Sequence, residues 1–446
     1  MDTITHGIAG ALIAKAFFAE RRSPRGNEPV GAGGIVDAAP ARGWSESGRV
    51  VVLASTLGAI FPDGDVFVGA LARNDLGILE WHRGVTHSLV CLPIWAVTLA
   101  ALTRWYTKRR GWAAPSWIAL AVIYAVTLSS HILLDLITSF GTMIWSPLRY
   151  TRPAWDLAFI LDFTLLGTLL LPQLAAWVYR DRERSFLRAA GLWSACTLGV
   201  LLVYWSARAL RFPFSPMALL VIAAVLAALF FLPAAGDCGY RWRRATWCRA
   251  GVCAFAAYLG FCAAAHQVAL RRVRQFAAER NLRAGEIGAL PLPPSLAHWD
   301  GLIRTPDGIY EGRINIFSAD PPVLQFLEDS PLNGYIAAAR RLPRVQTYLW
   351  FARFPLYRYS ETLADAGAAA AKSPGTVAEK SPGAAVSKLP RALASGPAGV
   401  AGGLHIVQIR DLRFFSRGRR PAPFTFRVTF DDSGRVLEQG LLREVR

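Results

Sequence analysis

Apolar residues cluster in six long runs: Ser88–Thr103, Ser116–Ile137, Leu157–Tyr179, Ala189–Ala207, Phe214–Pro233 and Gly251–Leu270. Several approach the roughly 20 residues that a helix needs to cross a bilayer. Two weaker stretches, Ile4–Ala19 and Val50–Ala72, precede them. The pattern predicts about seven to eight apolar helices, fewer if the first two are re-entrant or peripheral. From Arg271 onward the pattern changes. Ile314-Asn-Ile-Phe, Leu404-His-Ile-Val-Gln-Ile and Phe424-Thr-Phe-Arg-Val-Thr-Phe alternate with a period of two and predict strands. Asp431-Asp-Ser-Gly434 reads as a hairpin turn.

Two polar segments punctuate this order. Residues 20–49 form a Pro/Gly-rich loop with five arginines, and residues 364–403 are rich in Ala, Gly, Pro and Ser and carry Lys-Ser-Pro-Gly twice. The second reads as a flexible insertion. The expected fold class is mainly α: a polytopic membrane helix bundle over residues 1–270, followed by a small soluble α/β domain over 285–446 that contains the insertion.

Composition agrees with a membrane chain, since 53% of its 446 residues are apolar. The net charge of +18 raises the question of nucleic acid, but the placement of that charge answers it. A nucleic-acid binder gathers its cations on one face, whereas here they sit in short loops between apolar runs. Loops 20–49, 104–110, 180–188 and 241–249 hold 17 cationic residues, and the alternating loops hold only Arg73, Arg83, Arg149, Arg152, Arg208 and Arg211. The positive-inside rule puts the first set in the cytoplasm, and no nucleic-acid partner is expected. Arg271, Arg272, Arg274, Arg280 and Arg283 run against this assignment, although long downstream domains translocate largely regardless of charge. The six cysteines form no Cys-x-x-Cys pair and read as buried thiols. Asp2 and the lack of a basic leader predict that the first apolar stretch is retained.

Candidate chemistry then stands out against this background. His6, His82, His87 and His131 each lie beside Asp, Thr or Ser, in stretches that otherwise read as membrane, and Phe61-Pro-Asp63-Gly-Asp65 adds two carboxylates. Ionisable groups near lipid are costly and are presumed functional. His131 and Asp135 are four apart on a predicted helix and share a face. His82 and His87 flank Gly84 in a predicted turn. Asp63 lies between Pro62 and Gly64, a helix-breaking context that aims a carboxylate at a cavity. The charge assignment, drawn without these residues, puts all of them toward the outer membrane face, with the soluble domain also extracytoplasmic.

Imidazole and carboxylate are the usual donors of a hydrolytic metal site. The expected metal ligands are His6, Asp63, His82, His87, His131 and Asp135. Asp63, Arg83 and His87 are the expected catalytic residues: Asp63 to bridge metals or act as base, Arg83 to hold an anionic oxygen. Asp2, Asp65, Thr86 and Asp156 are expected to orient the ligands from behind. His266, His298 and His405 lack partners at metal spacing and read as structural.

The motifs Asp2-x-x-Thr5-His6-x-x-x-Gly10, Pro62-Asp63-x-Asp65, His82-Arg83-Gly84-x-Thr86-His87-Ser88 and His131-x-Leu133-Leu134-Asp135 together resemble the YdjM family of membrane-bound metal-dependent hydrolases. Arg152-x-x-Trp155-Asp156-x-x-Phe159-Ile160-x-Asp162 resembles that family's next segment, with Phe163 where the family often has Pro. The resemblance covers about residues 1–170. It extends distantly to zinc-dependent phospholipase C, which implies a helical site that cleaves phosphodiesters. A later His-x-x-x-Glu/Asp pair is missing, so one or two zinc ions are expected rather than three. The implied substrate is a membrane lipid or lipid-linked phosphoester. The rival expectation is a non-catalytic, metal-stabilised membrane scaffold. A metal transporter would need ligands continuing through the bilayer, and the inner-half positions are apolar.

Overall fold

The computed structural model describes residues 1–19, 46–71, 75–209, 215–235, 237–293, 295–363, 403–414 and 424–442. Arg21, Arg22, Arg25, Arg42, Arg73 and Arg211, and positions 364–402 of the expected insertion, lie outside the described residues. The chain is mostly helical, with two small antiparallel sheets in its C-terminal part.

In chain order the helices are α1 (Thr3–Ile13), α2 (Glu46–Ile60), α3 (Asp65–Leu71), α4 (Gly77–Glu80), α5 (Leu92–Arg110), α6 (Trp117–Leu136), α7 (Phe163–Val178), α8 (Ser185–Ala209), α9 (Pro216–Ala235), α10 (Cys238–Arg241) and α11 (Arg244–Glu279). Strands β1 (Ile287–Leu292), β2 (His298–Thr305), β3 (Gly308–Asn315) and β4 (Gln325–Glu328) follow. Then come α12 (Gly334–Arg341), α13 (Pro343–Phe351), β5 (Pro355–Leu363), β6 (Gly403–Asp411), β7 (Thr425–Phe430) and β8 (Val436–Leu441). Among the described residues, five helices are long and apolar enough to cross a membrane, or six if Gly77–His87 and Leu92–Arg110 make one broken span. Thr3–Phe18 and Phe163–Val178 are apolar but shorter, so the expected count of seven to eight is not reached on length alone.

The chain divides into two compact units. The first comprises Met1–Asp65, Arg83–Ala265 and Pro291–Ala297, and the second Val66–His82, His266–Leu290 and His298–Arg446. Within the first unit, α1, α2 and α6 form the packed centre. A Cβ on Gly10 would lie 2.5 Å from the Ser55 carbonyl oxygen, and one on Gly58 would lie 2.6 Å from Thr127 Oγ1. Small residues are what let membrane helices approach this closely. Ala54, Ala96, Ala100, Leu120, Tyr124 and Leu128 join α2, α5 and α6, while Leu12, Leu134, Leu165 and Cys262 join α1, α6, α7 and α11. By contrast, only 6% of the Ser185–Ser206 span and 11% of the Pro216–Ala234 span are buried in the protein, against 44% for Trp117–Leu136. The α8 and α9 segments thus present apolar surface of the kind that faces lipid.

Local sequence explains where these helices start. Asp2 caps α1 by accepting from the Thr5 amide at 3.0 Å and the Thr5 hydroxyl at 2.6 Å. Ser116 caps α6 through the Ala119 amide at 3.3 Å. Asp162 caps α7 through the amides of Thr164 and Leu165, and its other oxygen accepts from Tyr258 and Ser295, both at 2.6 Å. The acceptor positions of Asp162 are therefore taken up by structure.

The second unit contains two four-stranded meanders, β1-β2-β3-β4 and β5-β6-β7-β8. The alternation seen around Leu404 is realised in β6, whose residues point alternately into and away from the core. Asp431-Asp-Ser-Gly434 closes the β7–β8 hairpin, with Asp431 and Arg435 bonded at 3.1 Å. Asp75 accepts from the Arg344 guanidinium and from the Leu441 amide, which ties the 66–82 segment into this unit. His405 bridges Tyr359 at 2.7 Å and Asp432 at 2.9 Å, and His266 lies beside Trp299.

Candidate metal centre

Four elements of the first unit deliver the polar groups. His6 lies one turn into α1, Asp63 in the 3-10 turn Phe61–Gly64 after α2, His87 in the 3-10 turn Val85–His87, and His131 and Asp135 on α6. Pro62 stands in the first turn of this 3-10 segment, where its missing N–H is tolerated, and marks the break after α2. The four-residue spacing on α6 stacks His131 and Asp135 on one face, and both are buried.

These groups meet in a small volume. Ligand atoms of His6, Asp63, His131 and Asp135 all lie within 4.8 Å of one another. His6 Nε2 is 3.3 Å from Asp135 Oδ1, and His131 Nε2 is 3.4 Å from Asp135 Oδ2 and 3.5 Å from Asp63 Oδ1. His87 joins from the side, with Nε2 3.0 Å from His131 Nε2, 3.1 Å from Asp135 Oδ2 and 3.8 Å from Asp63 Oδ1. A tetrahedral ion with ligands at about 2.0–2.1 Å separates its donors by roughly 3.3–3.4 Å, and the distances here bracket that value. Neither ring nitrogen of His6 has a hydrogen-bond partner, nor does Asp135 Oδ2. Buried polar atoms left in this state are costly, and a cation would satisfy them. The donor set thus fits a divalent metal ion.

The backs of these ligands are held. His131 Nδ1 is 2.5 Å from the Ala59 carbonyl, which turns Nε2 toward the centre. His87 Nδ1 faces Asp65 Oδ2 at 3.2 Å and the Thr86 hydroxyl at 2.9 Å. That hydroxyl donates to the same Asp65 oxygen at 2.8 Å, and so does the Arg83 amide at 3.0 Å. Asp65 and Thr86 therefore orient His87 as a unit. Thr3 donates to Asp63 Oδ2 at 2.6 Å and leaves Oδ1 directed at the imidazoles. Asp2 acts one step further back, as the cap that starts the helix carrying His6.

The anion that Arg83 meets is the Asp135 carboxylate. Its Nη2 lies 2.8 Å from Asp135 Oδ1, while Nη1 donates to the Asp135 carbonyl at 3.3 Å and to Thr138 at 2.9 Å. The side chain is buried against the Phe140 ring and stems from a backbone with φ of 62°, a left-handed conformation uncommon outside glycine. The Met1 amine lies 2.5 Å from Asp135 Oδ1.

Two further expected site residues are His82 and Asp156. His82 falls in the second unit and outside the converging group. Asp156 is buried at a φ of 54°, in a segment whose Trp155 and Leu157 amides bond the Leu136 and Ile137 carbonyls. Thr3, Thr138 and the Ala59 carbonyl belong to the site without having been singled out by sequence. Only Thr138, three residues after Asp135, carried a signal in its spacing.

No curated protein and no solved structure matches the chain. Residues 1–210, which hold every side chain of the cluster, match the family described as YdjM inner membrane protein.

Proposed function

We propose that the protein is a membrane-bound, metal-dependent hydrolase acting on a phosphoester at the membrane surface, as the phospholipase C resemblance implies. The observation that carries this reading is the convergence of His6, Asp63, His131 and Asp135, whose ligand atoms lie within 4.8 Å of one another, with His87 beside them. These residues would hold one or two zinc ions. Such an ion supplies Lewis acidity and lowers the pKa of water toward about 7. Asp63 is the one member of the group with side-chain exposure, 10% against none for the other four. Substrate therefore approaches on the Asp63 side, where that carboxylate can take up a proton. Thr3 keeps one Asp63 oxygen engaged and the other free for this task. Arg83 positions Asp135 and balances its charge.

The site faces the extracytoplasmic side by the loop-charge asymmetry, and the two short apolar helices bring the membrane segments to about eight. Purified protein should contain zinc and hydrolyse a phospholipid or a chromogenic phosphodiester, and chelation should abolish the activity. The complete burial of four of the five ligands favours a second reading, a metal-stabilised scaffold. That reading predicts bound metal, higher thermal stability with metal, and no turnover of any phosphoester.

A further inference from the structure

The loop between α6 and α7 is ordered, yet it turns large apolar side chains outward. Trp145, Leu148, Tyr150, Trp155 and Leu161 are all exposed, Leu148 at 74%. Large apolar side chains exposed together on one segment point to an interaction site. Its backbone is not loose. Within it, the Thr142 amide bonds the Pro153 carbonyl at 3.1 Å, and the Leu148 amide bonds the Trp145 carbonyl at 2.9 Å.

The inner side of the loop is fastened to the candidate metal centre. The Ser88 hydroxyl, next to His87, donates to the Ser146 carbonyl and bonds the Ile144 carbonyl at 3.3 Å. The Leu89 amide bonds the Ile144 carbonyl, and the Met143 amide bonds the Arg83 carbonyl, both at 2.9 Å. At the far end, the Trp155 amide bonds the Leu136 carbonyl at 2.8 Å, one residue after Asp135. The exposed side chains are therefore held at a fixed offset from the ligands.

The level of the loop identifies what covers it. It connects the end of one apolar helix, at Leu136, to the start of the next, at Phe163, so it runs where membrane segments meet the headgroups. Tryptophan and tyrosine concentrate at that depth, their rings amphipathic. Arg149 is exposed among them, and a guanidinium pairs with phosphate. Apolar side chains toward acyl chains and a cation at phosphate level complement a phospholipid better than a soluble ligand or a protein.

We infer that residues 144–161 form a lipid-facing collar that seats the glycerophosphate region of a bilayer phospholipid beside the metal centre. The inference rests on the proposed hydrolase only for what happens to that lipid next. Its first test does not depend on turnover. Full-length protein carrying Leu148→p-benzoylphenylalanine is placed in nanodiscs of phosphatidylethanolamine and phosphatidylglycerol and irradiated. Intact-mass analysis should show a phospholipid adduct, and the same photoprobe at buried Met143 should show none. No lipid adduct at position 148, or an adduct to protein instead, overturns the collar.

The second test uses Leu148→Glu and Trp145→Ser. Hydrolysis of bilayer phospholipid should fall by about tenfold or more, while hydrolysis of bis(4-nitrophenyl) phosphate in solution stays unchanged. Equal losses on both substrates, or no loss on either, overturn the collar. A lipid adduct at position 148, together with an unaltered protein that cleaves neither substrate, overturns the hydrolase reading and leaves the collar standing.

Discussion

His87 Nε2 and His131 Nε2 face each other 3.0 Å apart, with both side chains fully buried. Each ring has its other nitrogen turned toward a partner at its back, Asp65 for His87 and the Ala59 carbonyl for His131. When both Nδ1 atoms carry protons, two lone pairs point at one spot, and a cation is the natural occupant. His131→Ala should therefore lose metal by more than the roughly 10- to 100-fold that removal of an outer partner costs. Elemental analysis of the purified protein checks this, and metal content equal to that of the unmodified chain would remove the basis of the assignment.

Asp65 meets the site through His87, Thr86 and the Arg83 amide. Asp65→Asn keeps its size but weakens the hold on the His87 proton. Metal affinity should drop about 10- to 100-fold, as measured by competition with a chromogenic chelator. An unchanged affinity would show that Asp65 only supports the backbone.

Arg83 and Asp135 form a buried ion pair at 2.8 Å. Removing Arg83 leaves that carboxylate with the Met1 amine as its remaining close cation. Arg83→Met should lower the stability of the metal-free protein by about 3 kcal/mol, the lower end for breaking a buried pair, read from thermal denaturation in detergent. A loss below about 1 kcal/mol, the range of exposed pairs, would mean that water reaches this carboxylate.

Gly10 tests the helix crossing rather than the chemistry. Gly10→Leu places its Cβ against the Ser55 carbonyl and Ala59, so α1 must move away from α2. Overpacking of this sort costs about 1–3 kcal/mol, and metal should be lost with it because His6 rides on α1. Gly64→Ala, whose Cβ meets nothing within 4 Å, serves as the control for side-chain bulk and should retain metal.

Much of this site was readable in the chain because its ligands are local. His131 and Asp135 need only a helix, and His87 needs only the turn around Gly84. What could not be read depends on direction and on backbone. The guanidinium of Arg83 reaches Asp135 because its own φ is positive, and no residue pattern announces that. The Ala59 carbonyl is a ligand holder with no side chain to notice. His82 shares its motif with His87 yet falls in the other unit, since proximity in sequence does not fix which way each side of a turn faces.

The fold shows the same division. The run Ser116–Ile137 predicts α6 to within one residue at each end, because its limits are set by hydropathy and a serine cap. The run Gly251–Leu270 underestimates α11, which extends from Arg244 to Glu279. Beyond Leu270 the helix turns amphipathic, with Val273, Phe276 and Ala277 buried among arginines, and mean hydropathy falls although the helix continues. The expected run Ser88–Thr103 starts early, since Ser88 is occupied in bonding the 144–146 carbonyls. It also stops early, since Arg109 and Arg110 fold back over Trp105 and Tyr106 in the last turns of α5.

The close crossing at Gly10 and Gly58 has a mechanical consequence. Where helices meet through side chains, their separation can yield, because rotamers shift and long chains bend. Here α1, α2 and α6 meet at points where a backbone carbonyl and a threonine hydroxyl lie too close to admit even a methyl group. Such contacts compress very little. The span from His6 to Asp63 to His131 is thereby insulated from the lateral pressure of the surrounding lipid, and a bilayer that changes in thickness or tension should deform the loosely packed α8 and α9 before it alters the bite of the ligands.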